Sequence, residues 1–373
     1  AAQRMAELAA RYGTAELLRI MDAVLDYSEV MMRAALTGLP DGEAVFEDVF
    51  DGDGIIEDGD SADRTFRVRI ALTKRGDSIA ADFAGSDPAV AGPMNAPLSV
   101  TASGVYCALK MVVDPRSLIP PNSGCWRAVR VTAPPGCVAN AQEPSPVVYA
   151  NHEMSHRIAD MTFAAMARIA PDRVMCGSQG TSAVTTFGGI DHRTGERFVS
   201  YESTKGGYGA RPMKDGINAV SSTVSNMLNT PIEVLEMSFP LRVEEYAVVP
   251  DSGGAGTFRG GCGVRRSWRV LGRDLRASTC FERTVTPPFG LLGGLPGGNA
   301  RLSMVLADGT RRAVPGKGAY TAPAGALVTI EAPGSGGYGP PARRDAAALR
   351  ADLADGYVTP EAAARDYGLK PGA

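Results

Sequence analysis

The sequence has 373 residues, of which 44% are hydrophobic and 21% are charged, a balance that predicts a folded chain with a sizeable core. The formal net charge is −3, so basic residues are not in excess, which argues against nucleic-acid binding. No apolar run approaches the roughly 18 residues that a membrane span requires, so we expect a cytoplasmic protein that contacts neither nucleic acid nor membrane.

The first half of the chain alternates predicted helices and strands. Helical periodicity and β-like alternation predict helices over residues 1–37, 99–113 and 145–170, and strands over residues 66–72, 78–83 and 128–132. Pro171 is expected to close the last of these helices, because proline cannot donate a backbone hydrogen bond. Residues 218–229 remain open between helix and loop.

The second half is predicted to be rich in strands. A segment of Gly, Thr and Ser over residues 172–215 is followed by short strands at 241–249, 264–270, 302–306 and 327–330, a pattern typical of an antiparallel sheet. Helical pattern returns at 346–354 and 360–367. The predicted fold class is α+β, with mixed helices and strands first, then a β-rich part and a short helical tail.

Composition shifts and turn signals suggest a division into four regions. We expect a helical start with a small β region over 1–95, a mixed central region over 96–240, a β-rich region over 241–343 and a helical tail over 344–373. The chain opens at Ala1 inside a predicted helix and without a capping residue. This opening favours a piece of a longer chain.

A five-residue match to a zinc-protease pattern is the main metal signal. His152-Glu153-Met154-Ser155-His156 fits H-E-x-x-H, in which two histidines bind zinc and the glutamate activates water. Such a site needs a third ligand, and the remaining histidine, His192, falls in a predicted turn. The six cysteines form no C-x-x-C pair, so buried reduced thiols are expected. The zinc protease is kept as an alternative, and no metal ligands are predicted in this chain.

Residues 147–160 resemble a segment of the hydantoinase B/5-oxoprolinase family. That family shows Asn-x-Glu-x-Ser-x-Arg before an apolar helix, and the matching residues here are Asn151, Glu153, Ser155 and Arg157. His152 and His156 fall at variable positions of the motif, so the resemblance explains the zinc-protease match as a coincidence. Further landmarks occur in order at residues 92–95, 121–124, 202–210, 226–236, 251–263 and 333–339.

The resemblance implies a beta-type subunit of an ATP-dependent hydrolase that opens cyclic amides such as hydantoins, 5-oxoproline and related lactams. A hydantoinase A-type partner would bind ATP and phosphorylate a carbonyl oxygen, and the B-type subunit would help to complete turnover. Relatives that carboxylate ketones leave an ATP-dependent ketone carboxylase as an alternative. A third possibility is a structural and interaction body for the A-type partner.

Family subunits usually carry a further N-terminal part that is rich in Asp and His and resembles a metal-binding region. The matching segment is absent from this chain. The resemblance therefore implies that a divalent metal is bound in that missing part, and that activity requires the full-length subunit together with its partner.

The resemblance also places the candidate site on the landmark residues. The predicted catalytic residues are Glu153, Arg157 and Glu202, because carboxylates transfer protons and arginine binds carboxylate or phosphate in a fork. Glu153 and Arg157 stand four apart on a predicted helix, a spacing that suits an ion pair in either a substrate-orienting or a purely structural role. The candidate substrate-binding residues are Asn95, Asn122, Asn151, Ser155, Gly206, Gly207, Asn226 and Glu233.

The two glycines and the two glutamates near residue 235 can also be explained by structural roles. Gly206 and Gly207 suit close backbone packing as well as approach to a ligand, because they carry no side chain. Glu233 and Glu236 could share a metal or act as an acid–base pair, and a solvated helix edge explains them equally well.

Overall fold

The computed structural model describes residues 1–55 and 65–369. The helices are α1 (Ala2–Tyr12), α2 (Thr14–Thr37), α3 (Leu98–Val113), α4 (Ser155–Met166), α5 (Ile232–Ser238), α6 (Ala346–Ala354) and α7 (Pro360–Tyr367). The strands are β1 (Gly42–Phe50), β2 (Phe66–Arg75), β3 (Ser78–Asp82), β4 (Val129–Thr132), β5 (Val184–Ile190), β6 (Arg197–Ser203), β7 (Leu241–Val248), β8 (Val264–Val270), β9 (Leu275–Cys280), β10 (Arg301–Val305), β11 (Arg311–Ala313), β12 (Lys317–Ala322) and β13 (Leu327–Glu331). This mixture confirms the predicted α+β class.

The first sheet has the order β1-β2-β3-β4 and supports the first hydrophobic core. The three N-terminal strands pair antiparallel, whereas β3 and β4 run parallel. Alternate residues of β2, including Phe66, Val68 and Ile70, are buried because successive strand side chains point to opposite faces. The same core contains α3 and α4, and every residue of α4 is buried. Side chains on α4 therefore meet protein on all sides.

Two antiparallel sheets form the second core. Their orders are β11-β10-β13-β8-β7 and β12-β9-β5-β6, which confirms the predicted antiparallel character of the later chain. Phe187, Trp268 and Phe281 are fully buried between them. The sheet β12-β9-β5-β6 contains strands from both sides of residue 240, so the predicted central region and the predicted β-rich region share one sheet. The division into four regions stays a prediction.

The helix predicted over 145–170 is shorter in the structure. A π turn covers Ala150–Met154, α4 begins at Ser155, and α4 ends at Met166. Pro146 disfavours a helical conformation at residue 145, where the helix was predicted to begin, because the residue before a proline is pushed toward extended backbone. Residues 218–229 contain neither α-helix nor strand, which settles that segment as a loop.

The strands β5, β6, β9 and β12 were only partly indicated by sequence. They lie in segments rich in Gly, Thr, Ser and Arg, where alternation of apolar residues is weak. Partner strands bury them, which no local pattern reports. Among the described residues, no helix is long and apolar enough to cross a membrane.

Candidate functional site

The π turn before α4 brings ionisable side chains into the centre of the molecule. The N–H of Met154 points back to the carbonyl of Tyr149, five residues earlier, at 3.4 Å. Single π turns within helices occur often at functional sites, because the extra residue changes which side chains share a face. Here the turn carries His152 and Glu153, the latter fully buried.

Arg157 joins three elements of the fold through its guanidinium group. Its Nε donates to Asp48 Oδ2 at 3.1 Å and a terminal nitrogen donates to the Val49 carbonyl at 2.7 Å, both at the end of β1. The other terminal nitrogen donates to Glu282, just after β9. Burial lowers the pKa of Arg157, but the carboxylates of Asp48 and Glu282 outweigh it and raise that pKa above its usual range. The guanidinium is therefore a permanent cation at the junction.

The expected ion pair between Glu153 and Arg157 does not form. Arg157 points between β1 and β9, where its nitrogens already have the partners described above, while the Glu153 carboxylate accepts a hydrogen bond from the Ser182 backbone at 3.2 Å. Residue 157 lies in the regular α-helix, but residue 153 lies in the π turn before it. The extra residue of the π turn moves residue 153 away from the position that a continuous α-helix would give it. The i,i+4 prediction is wrong for this reason.

More buried charges extend this junction. Lys317 Nζ donates to Glu282 Oε1 at 2.6 Å and to the Asp51 carbonyl at 3.0 Å. Asp160 accepts hydrogen bonds from the backbone N–H and hydroxyl of Ser178 at 3.0–3.1 Å, and burial raises its pKa to about 6. We call this set the charged centre, and its members are Asp48, Asp51, Arg157, Asp160, Glu282, Arg283 and Lys317.

Sequence reasoning found Arg157 but missed the other members of the charged centre. They come from four separate stretches of the chain and carry no shared spacing. One usable signal was Glu282-Arg283, a charged pair directly after a buried strand, since charged residues are almost never fully buried without partners.

His152, Glu153 and Cys280 form a second group next to the charged centre. His152 Nδ1 lies 3.2 Å from Glu153 Oε1, and the ligand-type atoms of the three residues all lie within 4.8 Å of one another. Glu153 Oε2 is buried and has no hydrogen-bond partner. Burial raises the pKa of the Cys280 thiol well above its usual range, and the neighbouring Glu153 adds to the effect. The side chain of His152 is 19% exposed, so this group connects the buried carboxylate to solvent.

His156 is turned away from this group. Its Nε2 lies 3.1 Å from the Ser182 hydroxyl, and its Nδ1 contacts the hydroxyl of Ser222. Both ring nitrogens are thus engaged by hydroxyl groups, and the zinc-protease site that the H-E-x-x-H pattern suggested is not formed. Burial, with smaller contributions from the charges of His152 and Lys205, lowers the pKa of His156 to about 3.

The buried neutral state of His156 predicts a stability that falls on acidification. Between pH 6.5 and about 3 the unfolded chain protonates this ring and the folded chain does not, so the free energy of unfolding decreases as pH is lowered. At pH 5 we expect His156 alone to cost about 2 kcal/mol relative to pH 7. Urea unfolding across this range should show a flatter profile for His156→Gln than for the wild type. The exposed His192→Gln is the control, and equal slopes in all three proteins would contradict the prediction.

Glu202 is buried on β6 and pairs with Arg266 of β8. The two side chains are 2.8 Å apart and only 4% and 1% exposed, so the pair links the two antiparallel sheets. Asn95 is also fully buried, and its amide bonds the backbone of Val90, Gly92 and Pro146. Both side chains have internal partners, and their predicted roles in catalysis and substrate binding stay predictions.

The other polar residues of the predicted site lie apart or near the surface. The Asn122 amide donates to the Ser28 hydroxyl at 2.8 Å and ties its loop to α2. The Ser155 hydroxyl bonds the carbonyl of Asn151 one turn earlier. The side chains of Asn151, Asn226 and Glu233 are exposed. Their predicted contacts with substrate remain predictions.

Gly206 and Gly207 lie against the backbone of other glycine-rich segments. The N–H of Gly207 donates to the Pro333 carbonyl at 3.0 Å, and a Cβ on Gly207 would lie 2.1 Å from the Gly261 carbonyl oxygen. A Cβ on Gly206 would lie 2.5 Å from the Pro333 carbonyl oxygen. The close-packing interpretation is confirmed. Substrate binding by these glycines stays a prediction, although protein backbone fills the space beside their Cα atoms.

A cavity of about 840 Å³ lies beside α3 and α4, separate from the residues predicted by sequence. Its wall is mainly aromatic and apolar and also includes cationic and anionic side chains. The residues that define it are Tyr106, Met111, Trp126, Phe163, Tyr208 and Arg211. None of the predicted catalytic or substrate-binding residues lines it.

Fold and site together define an α+β protein with a charged centre built around one buried helix. The chain belongs to the hydantoinase B/oxoprolinase family, whose model matches residues 1–341. This confirms the family resemblance inferred from the landmark residues.

Known relatives agree with this assignment. The chain is 30% identical to the caprolactamase subunit beta of Pseudomonas jessenii over 98% of its own length and 63% of that subunit. It superimposes on the crystal structure of ATP-dependent caprolactamase from that organism with a TM-score of 0.85 and 28% identity, covering all of this chain and 64% of the other. A nucleotide-free acetone carboxylase shares the fold, with a TM-score of 0.87, 18% identity, and coverage of 99% of this chain and 54% of the carboxylase chain. The chain thus spans less than two thirds of each relative.

Proposed function

We propose that the chain is part of the beta-type subunit of an ATP-dependent cyclic amide hydrolase acting on hydantoins, 5-oxoproline or related lactams. The observation that carries the proposal is the match to caprolactamase, which extends along the whole chain at 28% identity and a TM-score of 0.85. The superimposed region spans the segments that carry the charged centre and both cores rather than a single motif. The likeness to acetone carboxylase, at 18% identity, supports the fold alone.

Glu153 is the proposed reacting group of this chain. It is the predicted catalytic residue with an unused acceptor, since Oε2 has no hydrogen-bond partner while Oε1 is oriented by the Ser182 N–H. Arg157 and Glu202 are proposed as positioning residues, because each is buried in ion pairs with protein side chains. Arg157 would act by holding α4, and with it Glu153, against β1 and β9.

ATP is proposed to bind to an A-type partner subunit rather than to this chain. Support comes from the glycine-rich segment around Gly206 and Gly207, whose backbone packs against the protein's own backbone instead of forming a phosphate cradle. The relative's name, caprolactamase subunit beta, describes one component of a larger assembly. A divalent metal is proposed in the part of the relatives that this chain does not cover. The cytoplasm is the proposed compartment, supported by six free cysteines.

The test is substrate-stimulated ATP hydrolysis by the complete subunit together with its A-type partner. Hydantoin, 5-oxoproline, caprolactam and acetone are compared, each with and without bicarbonate. We expect ring-opened product and ATP consumption with a cyclic amide in the absence of bicarbonate. Turnover that requires bicarbonate and a ketone would replace the proposal with a ketone carboxylase.

Substitution of Glu153 separates a catalytic role from a structural one. We expect Glu153→Gln to lower kcat by at least about 100-fold, the usual contribution of a positioned acid or base, with the complex still assembled. Glu361→Gln on the exposed side of α7 is the control and should leave kcat unchanged. An assembled complex in which Glu153→Gln has no effect would favour the interaction-body alternative.

A further inference from the structure

The group of His152, Glu153 and Cys280 offers an imidazole nitrogen, a carboxylate oxygen and a thiol sulfur. These atoms all lie within 4.8 Å of one another, close enough for a single ion to contact all of them after small rotations. Nitrogen, oxygen and sulfur ligands together suit Zn²⁺ and related borderline-soft ions. We propose that His152, Glu153 and Cys280 bind a divalent transition-metal ion, Zn²⁺ fitting best, with a further coordination position open to solvent.

The carboxylate of Glu153 points to a ligand that the protein itself does not supply. The side chain is fully buried, and Oε1 is held by the Ser182 backbone N–H at 3.2 Å. Oε2 is buried and no N–H or O–H group donates to it; the nearby thiol of Cys280 is only a weak donor. Leaving such an oxygen without a partner costs free energy, because water solvates it well in the unfolded chain. A cation between Glu153, His152 and Cys280 satisfies this oxygen.

Charge balance also favours a divalent ion. A divalent ion that binds here displaces the proton of the Cys280 thiol to solvent, and the resulting thiolate together with the Glu153 carboxylate neutralises the ion. Lys317 lies opposite Cys280 in the β9–β12 register. Its ammonium group is hydrogen-bonded to Glu282 at 2.6 Å and to the Asp51 carbonyl at 3.0 Å, and its charge offsets only part of the rise in the pKa of Cys280.

The buried side chains of Glu153 and Cys280 have fixed positions, whereas His152 is partly exposed and leaves the group open to solvent. Cys280 ends a central strand and is 3% exposed, so its sulfur has a defined position. The ring of His152 lies against Tyr149 with centroids 5.2 Å apart, and its side chain is 19% exposed. Catalytic zinc sites combine protein ligands with an open position in this manner. The ion would engage the same Glu153 oxygen that the proposed reaction uses, and the inference is therefore tested by ion binding alone, apart from turnover.

Cobalt(II) is a suitable probe, because its bond to a thiolate gives a charge-transfer absorption that oxygen and nitrogen ligands do not. The complete subunit is stripped with a chelator and titrated with Co²⁺, then with Zn²⁺ in competition. We expect a thiolate band that saturates at one equivalent and is displaced by Zn²⁺. Any metal bound elsewhere in the complete subunit lacks Cys280 and does not contribute to the changes caused by the substitutions below.

The variants are Cys280→Ser, His152→Gln and the control Cys137→Ser, another buried cysteine. Cys280→Ser should abolish the band, His152→Gln should weaken Co²⁺ binding at least about tenfold, and Cys137→Ser should match the wild type. His152 is partly exposed, so its variant tests the site even if Cys280→Ser misfolds by circular dichroism. A folded wild type without the band, or a band unchanged in Cys280→Ser, would overturn the inference and leave a thiol hydrogen-bonded to Glu153. Because no ATP or substrate is present, failure here is distinct from failure of the proposed reaction.

Discussion

Replacing Arg157 by methionine is expected to lower the free energy of unfolding by about 3–5 kcal/mol. The substitution keeps an unbranched side chain but removes the cation from a site that is 0% exposed. Asp48 and Glu282 would each lose a buried cation, and the Val49 carbonyl would lose a donor. The cations left beside these carboxylates are Arg283 and Lys317, respectively. An uncompensated buried charge costs far more than the pair contributes when intact.

Urea unfolding monitored by tryptophan fluorescence measures this loss. Arg157→Lys should recover only part of it, because a single ammonium group cannot reproduce the fork that spans both carboxylates. The matched control is Arg75→Met, which removes an exposed ion pair with Glu43 whose side chains are 57% and 66% exposed. Exposed pairs contribute less than about 1 kcal/mol, so a similar loss in Arg75→Met and Arg157→Met would contradict the assigned role.

Gly207→Ala is expected to destabilise the fold by about 3 kcal/mol, the upper end of the usual cost of overpacking, because a clash with backbone cannot be relieved by a side-chain rotation. The added Cβ would lie 2.1 Å from the Gly261 carbonyl oxygen and 2.7 Å from the Ser335 backbone nitrogen. Relief requires separation of the glycine-rich segments around residues 207, 261 and 335. The Gly207 N–H to Pro333 carbonyl hydrogen bond would be stretched as they separate.

Gly188→Ala is the control for this substitution. Gly188 lies in β5, and a Cβ there would meet its nearest atom at 3.5 Å, an ordinary contact. Thermal unfolding should therefore show a large drop in Tm for Gly207→Ala and a small change for Gly188→Ala. A tolerated Gly207→Ala would contradict the close packing assigned to this glycine.

Much of the secondary structure followed from local patterns. Helix α3 was predicted within one residue, and the tail helices at 346–354 and 360–367 were predicted with their observed bounds. Asp345 and Thr359 cap these two tail helices with their side chains, a signal that sequence carries directly. The start of α4 was misplaced because a helical period does not reveal a π turn.

The site was harder to predict than the elements. Asn151, Glu153, Ser155 and Arg157 were found because they form a compact motif within a few residues. Cys280, Glu282 and Lys317 were not, because each stands in a strand or strand end whose local sequence resembles many others. Long-range pairing brings them together: β9 pairs with both β5 and β12, and α4 packs beside β1.

The sequence by itself determined the family, the α+β class and the presence of a helix at Arg157. These properties depend on residue types at short spacings along the chain, and such spacings can be recognised in the sequence alone. Tertiary structure decided which partners those side chains have. Arg157 pairs with Asp48 and Glu282 rather than Glu153, and Glu153 lies beside Cys280 rather than His156. The physical reason is burial: inside the protein every charge must find a partner, and the available partners come from residues distant in sequence.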